Sequence, residues 1–173
     1  IEAGADRIHG TILGIGERVG NTPLDLLLVN LKLLGNISND LSQLGELVDI
    51  VSQATGWELP VSYPVFGKDA FRTGTGVHAA AVIKALRTGD VLLADQIYSG
   101  VPASWFGRDQ EIVVGPMSGN SNILYWLQKN GYPQMDALVA LIRLEAKQNK
   151  FLLSDSELHS IARTFLESQT QPS

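Results

Sequence analysis

Glu17, Arg18 and Asn21 place a carboxylate, a guanidinium and an amide within five positions. Such a set can hold a polar ligand, orient a proton or supply part of a metal's coordination sphere. Gly14, Gly16 and Gly20 stand among them and let the backbone turn tightly or come close to a ligand. Further along, His78 opens a run of small residues, Ala79 to Ala81. A lone histidine on such a face is by default a packed or surface side chain. Two phosphate-binding patterns are excluded. A dinucleotide fingerprint starting at Gly14 needs glycine where Val19 stands, and the stretch has no Gly-Lys-Ser/Thr of a P-loop. Glycine clustering alone reads as a structural loop.

The elements around this stretch locate it. Ile8, Gly10 and Ile12 alternate with Arg7, His9 and Thr11, which predicts a short buried strand. Thr22 and Pro23 then read as the N-cap and first residue of a helix to Leu34, with Asp25 at its third position and Gly35 as its stop. Polar groups at the carboxyl end of a strand, just before a helix, occupy the position where α/β barrels keep their chemistry. Leucine and valine cover most of that helix's circumference, so it needs burial on several sides. Ile1 to Ala5 reads as a helix end with Gly4 as its cap, without an initiator methionine or a signal peptide. A parallel barrel needs eight strand–helix units, so the chain reads as the tail of something longer.

The remaining pattern is helical. One helix is expected over about 40–55, capped by Asn39 or Ser38 and ended by Gly56. Residues 57–66, with Pro60 and Pro64, should be extended or looped, and Trp57 and Tyr63 read as packing residues. Residues 67–76 are polar and glycine-rich and lead into a helix over about 75–86. Residues 90–107 read as short and irregular, with a turn at 98–102, and 111–114 as a brief strand. Ser118 to Ser121 opens a helix to Lys129, a plain cap rather than an anion nest, since no lysine follows. Helices over 136–147 and 154–167 close the chain, the second behind the capping box Ser154-Asp155-Ser156-Glu157. Residues 168–173 are polar and should fray.

Composition narrows the class. An apolar content of 45% with 18% charged residues suits a globular fold. Thirteen basic against 18 acidic residues leave a net charge of −5 with no basic run, so nucleic acid and membrane surfaces are poor partners. No apolar run approaches the roughly 20 residues that span a bilayer. Cysteine is absent, which excludes disulfides, thiolate metal sites and thiol nucleophiles and makes the cytoplasm the expected setting.

Three strings carry a resemblance. GADRIHGTILGIGERVGNTPLD runs from Gly4 to Asp25, GKDAFRTGTGVHAAAVIKA from Gly67 to Ala85, and FGRDQEIVVGPMSGNSNILYWL from Phe106 to Leu127. In this order they resemble the 2-isopropylmalate synthase and homocitrate synthase family. The resemblance implies a TIM-barrel enzyme that condenses acetyl-CoA with a 2-oxo acid in a metal-assisted Claisen reaction. It implies that the loop holding Glu17, Arg18 and Asn21 follows the eighth barrel strand. Asn21 would sit at the divalent metal (Mg, Mn or Zn), with Glu17 and Arg18 supporting the strand-end network. His78 would belong to a helical subdomain that reaches across a homodimer into the partner's barrel, and Tyr98, ahead of Gly107-Arg108, would be the second crossing residue. Together they would act as acid/base or positioning groups.

The expected fold class is thus mainly α: the last strand–helix unit of a barrel over 1–35, a helical linker subdomain over 36–90 and a small second subdomain over 91–173. The family's metal is held mainly by an aspartate on an early strand and a His-x-His pair. This chain has three histidines, His9, His78 and His159, and no His-x-His. Taken alone it should therefore be inert, binding neither metal nor acetyl-CoA tightly. The GPMSG and NSN strings favour 2-isopropylmalate synthase within the family. A non-catalytic helical dimerisation or scaffold module is the alternative.

Overall fold

Helices carry nearly all the regular structure in the computed structural model, which describes residues 3–170. The chain forms two units, one of residues 3–71 with Gly100–Asp109, the other of Arg72–Ser99 with 110–170. The segments expected at 1–35, 36–90 and 91–173 divide the chain along its length. The two units divide it in space, and the backbone passes between them three times.

The first unit begins with a 3-10 turn, Ile12–Gly14, then α1 (Leu24–Leu33), α2 (Leu44–Thr55) and a second 3-10 turn, Ala103–Phe106. Its core joins Leu13, Val29, Leu44, Val48, Phe66 and Phe106, with the two phenylalanine rings edge to face at 6.3 Å. Here the predicted strand is corrected. Residues 7–12 form no ladder, and the backbone makes one parallel bridge, Thr11 with Pro23. A strand exists by pairing, and beyond the Thr22–Leu24 segment these residues join none.

The first predicted cap is also corrected: Pro23, not Thr22, holds the N-cap position of α1, without a side-chain bond. The predicted stop holds, because Gly35 has φ 73° and its N–H and that of Asn36 return to Lys32 and Leu31 carbonyls. Helix α2 starts at Leu44 rather than near residue 40. The Asp40 carboxylate accepts from Ser42 N at 2.9 Å, a local turn that competes with helix.

The second unit holds β1 (Arg72–Thr73), α3 (Gly76–Arg87), α4 (Val91–Gln96), β2 (Glu111–Ile112), α5 (Asn120–Lys129), α6 (Asp136–Gln148) and α7 (Asp155–Thr170). Strands β1 and β2 run parallel, pairing Arg72 with Glu111 and Thr73 with Ile112, and the Arg72–Glu111 side chains meet at 2.9 Å. Helix α3 packs on α4 and α5, α5 on α6, and α6 on α7. Val114, Ile123, Leu127, Leu138, Ile142 and Leu158 form the main core.

Strand β1 lies in the polar, glycine-rich stretch 67–76, and helix α4 interrupts the stretch 90–107 expected to be irregular. Six residues are too few to show a helical period, but Asp90 caps α4 by accepting from Leu93 N at 2.9 Å. The capping box of α7 is complete: Ser154 N donates to Glu157 Oε2 at 2.7 Å, and Glu157 N to Ser154 Oγ at 3.3 Å. The Ser118 segment is a structural knot. Ser118 Oγ donates to the Gly74 carbonyl at 2.7 Å, and Asn122 Nδ2 to those of Val113 and Gly74 at 2.9 and 3.2 Å. Both side chains are buried and tie β1, β2 and α5 together. The start of the expected opening helix end and the finish of the expected frayed tail, residues 1–2 and 171–173, lie outside the described residues.

Candidate functional site

The glycines of residues 12–21 are required by close approach. A Cβ on Gly20, which has φ 90°, would lie 2.2 Å from the Gly14 carbonyl oxygen, and one on Gly16 would lie 2.0 Å from Asn21 Nδ2. The loop therefore closes on itself. Asn21 N donates to the Gly14 carbonyl at 2.7 Å, and Asn21 Nδ2 to that of Ile15 at 3.2 Å. Thr11 Oγ1 donates to the same Ile15 carbonyl at 2.7 Å. Glu17, Arg18 and Val19 form the exposed tip, closed by Gly20 N on the Glu17 carbonyl at 3.0 Å. Arg18 has φ 59° and Leu13 φ 60°, left-handed conformations that a side-chain-bearing residue keeps only when its surroundings enforce them.

Leu13 is buried in the core and its N–H is held by Asp25. Its carboxylate is buried at the start of α1, with Oδ1 accepting from Leu13 N at 2.7 Å and Oδ2 from the Tyr63 hydroxyl at 2.8 Å. Burial, then the bond to Asp25 and its charge, push the Tyr63 phenol well above its ordinary 10.0. By sequence alone Asp25 reads as the third residue of the helix and Tyr63 as a packing residue. Tyr63 does pack, edge to face with Trp57 at 6.2 Å, but its hydroxyl has a second task. The available signal was a lone carboxylate inside Leu24-Asp25-Leu26-Leu27-Leu28, where an apolar helix has no solvated face for it.

The other two candidates meet in the second unit. His78, in the first turn of α3, and Tyr98, just after α4, stack with ring centroids 4.2 Å apart at 30°. Both rings are exposed. Gln110 steadies the segment after Tyr98, its Nε2 reaching Ser99 Oγ at 3.1 Å and the buried Asp95 carboxylate at 3.4 Å. An imidazole and a phenol side by side offer two groups able to move a proton. Glu17 and Asn21 belong to the first unit, so the four candidates form two pairs.

Among the described residues no three His, Cys, Asp or Glu side chains lie together as a metal site would require. Asn21 adds one neutral donor whose amide nitrogen is committed to Ile15. A hard divalent cation takes several oxygen or imidazole ligands, so the described residues alone do not fit one. A cavity of about 660 Å³ in the first unit is lined partly by Glu46, Asp49, Lys68 and Arg108. Arg108 is committed to the carbonyls of Val65 and Phe66, at 3.4 and 3.0 Å.

The family model described as HMGL-like matches residues 1–52. Over longer spans the chain is 33% identical to homocitrate synthase AksA of Methanopyrus kandleri, covering 98% of this chain and 42% of that protein. It is 31% identical to (R)-citramalate synthase of Aquifex aeolicus, covering 93% and 31%. It is 32% identical to a protein of Methanopyrus kandleri named as a probable 2-isopropylmalate synthase, covering 83% and 28%. The chain thus spans between 28% and 42% of the length of these relatives.

Proposed function

We propose that this chain, which belongs to the 2-isopropylmalate synthase and homocitrate synthase family, serves as the Asn21 loop and helical portion of an acetyl-CoA-dependent 2-oxo acid synthase. The observation that carries the reading is the paired exposure of His78 and Tyr98, 4.2 Å between rings, in a chain that aligns to three named synthases over 83–98% of its length. In the proposed reaction the acetyl methyl loses a proton, the resulting enolate carbon bonds to the carbonyl carbon of the 2-oxo acid, and that oxygen takes up a proton. Water then cleaves the thioester and releases free thiol. His78 and Tyr98 are the proposed groups for holding or moving protons at the carbonyl oxygen, and we place them at a partner subunit's site. Asn21 and Glu17 are proposed to orient polar groups at the other part of that site. The family's divalent metal would polarise the carbonyl, and its ligands would have to come largely from outside the described residues.

Of the three condensations named for the relatives, we carry forward the one giving 2-isopropylmalate, because the GPMSG and NSN strings of residues 115–122 favoured it. The test is thiol release from acetyl-CoA by the complete product of the gene that encodes this chain, over a panel of 2-oxo acids with Mg²⁺ or Mn²⁺. Release that depends on 2-oxoisovalerate is expected, and the chain alone should give none. Release with a different 2-oxo acid would correct the substrate and keep the class. No 2-oxo acid dependence would overturn the class and favour a non-catalytic dimerisation module, to which the exposed Val91, Leu92 and Leu93 of α4 would also suit.

A further inference from the structure

We infer that Asp25 and Tyr63 are positioning residues for Asn21, a role that rests on the synthase reading for its catalytic meaning but not for its geometry. Asp25 is fully buried, and both carboxylate oxygens are occupied, by Leu13 N at 2.7 Å and the Tyr63 hydroxyl at 2.8 Å. A carboxylate is costly to bury without such partners, and an apolar helix gives no packing reason for it. Its effect falls on Leu13, whose left-handed φ of 60° starts the turn. The next two carbonyls along the chain, of Gly14 and Ile15, are those that receive Asn21 N and Nδ2.

Asn21 is therefore aimed by a relay. Tyr63 fixes the carboxylate, the carboxylate fixes Leu13, and the turn beyond Leu13 fixes the Asn21 amide. The three contributors come from separate stretches: the 57–66 loop, the first turn of α1 and the 3-10 turn. A bond serving stability alone would need no route to Asn21.

Proton–nitrogen correlation NMR on the full chain reads the relay through two signals, the Leu13 amide and the Asn21 side-chain amide. Tyr63→Phe keeps the ring and its Trp57 contact and removes the hydroxyl; Asp25→Asn keeps the shape and removes the charge. Both signals should move in both variants, while resonances of the second unit stay in place. If the Leu13 amide moves and the Asn21 side chain does not, the pair is a local fold determinant and the inference is overturned. Unfolding of the first unit by Tyr63→Phe would overturn it equally, and if Asp25→Asn fails to fold, Tyr63→Phe decides alone. Neither signal depends on turnover, so a failed condensation assay would remove the synthase reading and leave this result standing.

Discussion

Single side chains divide here into those that present chemistry and those that hold it in place. His78 and Tyr98 are exposed and touch each other, so replacing either should leave the cores intact. In the complete gene product His78→Ala should lower kcat by roughly 10²–10⁴-fold, the usual weight of a general acid/base, with little change in urea midpoint. A kcat within a few-fold of wild type would make it a packing histidine. Asp25 behaves oppositely, because truncation to Ala strands the Leu13 N–H and the Tyr63 hydroxyl and should cost about 1–3 kcal/mol in chemical denaturation. Tyr63 adds a pH signature. Its phenol is shifted upward, so the folded state holds the proton more tightly than the unfolded chain does. That stability is whole below the ordinary tyrosine range near pH ~10 and is lost as pH rises above it. Tyr63→Phe should remove this part of the alkaline loss, and urea midpoints across the alkaline range would show it.

At the scale of elements, close approach and capping decide most of what the loops can do. Gly20→Ala would place a methyl 2.2 Å from the Gly14 carbonyl at φ 90°, and a residue so strained costs on the order of 1–3 kcal/mol. Thermal unfolding should show that loss, whereas Gly89→Ala, with a similar φ of 77° and open space around it, should cost less. Most helices were legible in the sequence, and their ends where a glycine stop or a capping box announces them: Gly35, Gly56 and the Ser154–Glu157 box all act as read. The lack of a strand at 7–12 was not, because alternation describes a segment's faces and not whether a partner lies beside it. Helix α4 and strand β1 are shorter than any period they could display. The candidate site was only partly legible for a related reason. Glu17 and Asn21 are candidates by type and spacing and His78 by the resemblance alone, whereas Asp25 and Tyr63 are 38 positions apart and meet only in the fold.

For the whole molecule, exposed apolar surface argues for association. Val91, Leu92 and Leu93 of α4 are 57%, 48% and 45% exposed, and Leu34 at the end of α1 is 74% exposed. Each such side chain left in water forgoes up to roughly 1.5–3 kcal/mol of burial, so a closed two-fold pairing is expected. Light scattering behind a sizing column should give at least a dimer at micromolar concentration; a clean monomer at the chain mass of 18.7 kDa would refute it. If His78 acts in the partner's site, mixing His78→Ala subunits with subunits lacking a metal ligand should restore one site per heterodimer, whereas no recovery would place His78 in its own subunit's site. The proposed synthase reading requires the complete gene product to make a carbon–carbon bond. Acetyl-CoA labelled at the methyl carbon, incubated with the complete gene product, a divalent cation and 2-oxoisovalerate, tests it by mass spectrometry. The label should appear in a product combining the 2-oxo acid with the acetyl group and one water, and His78→Ala should slow its formation. Label recovered only as free acetate, from thioester hydrolysis without condensation, would contradict the account.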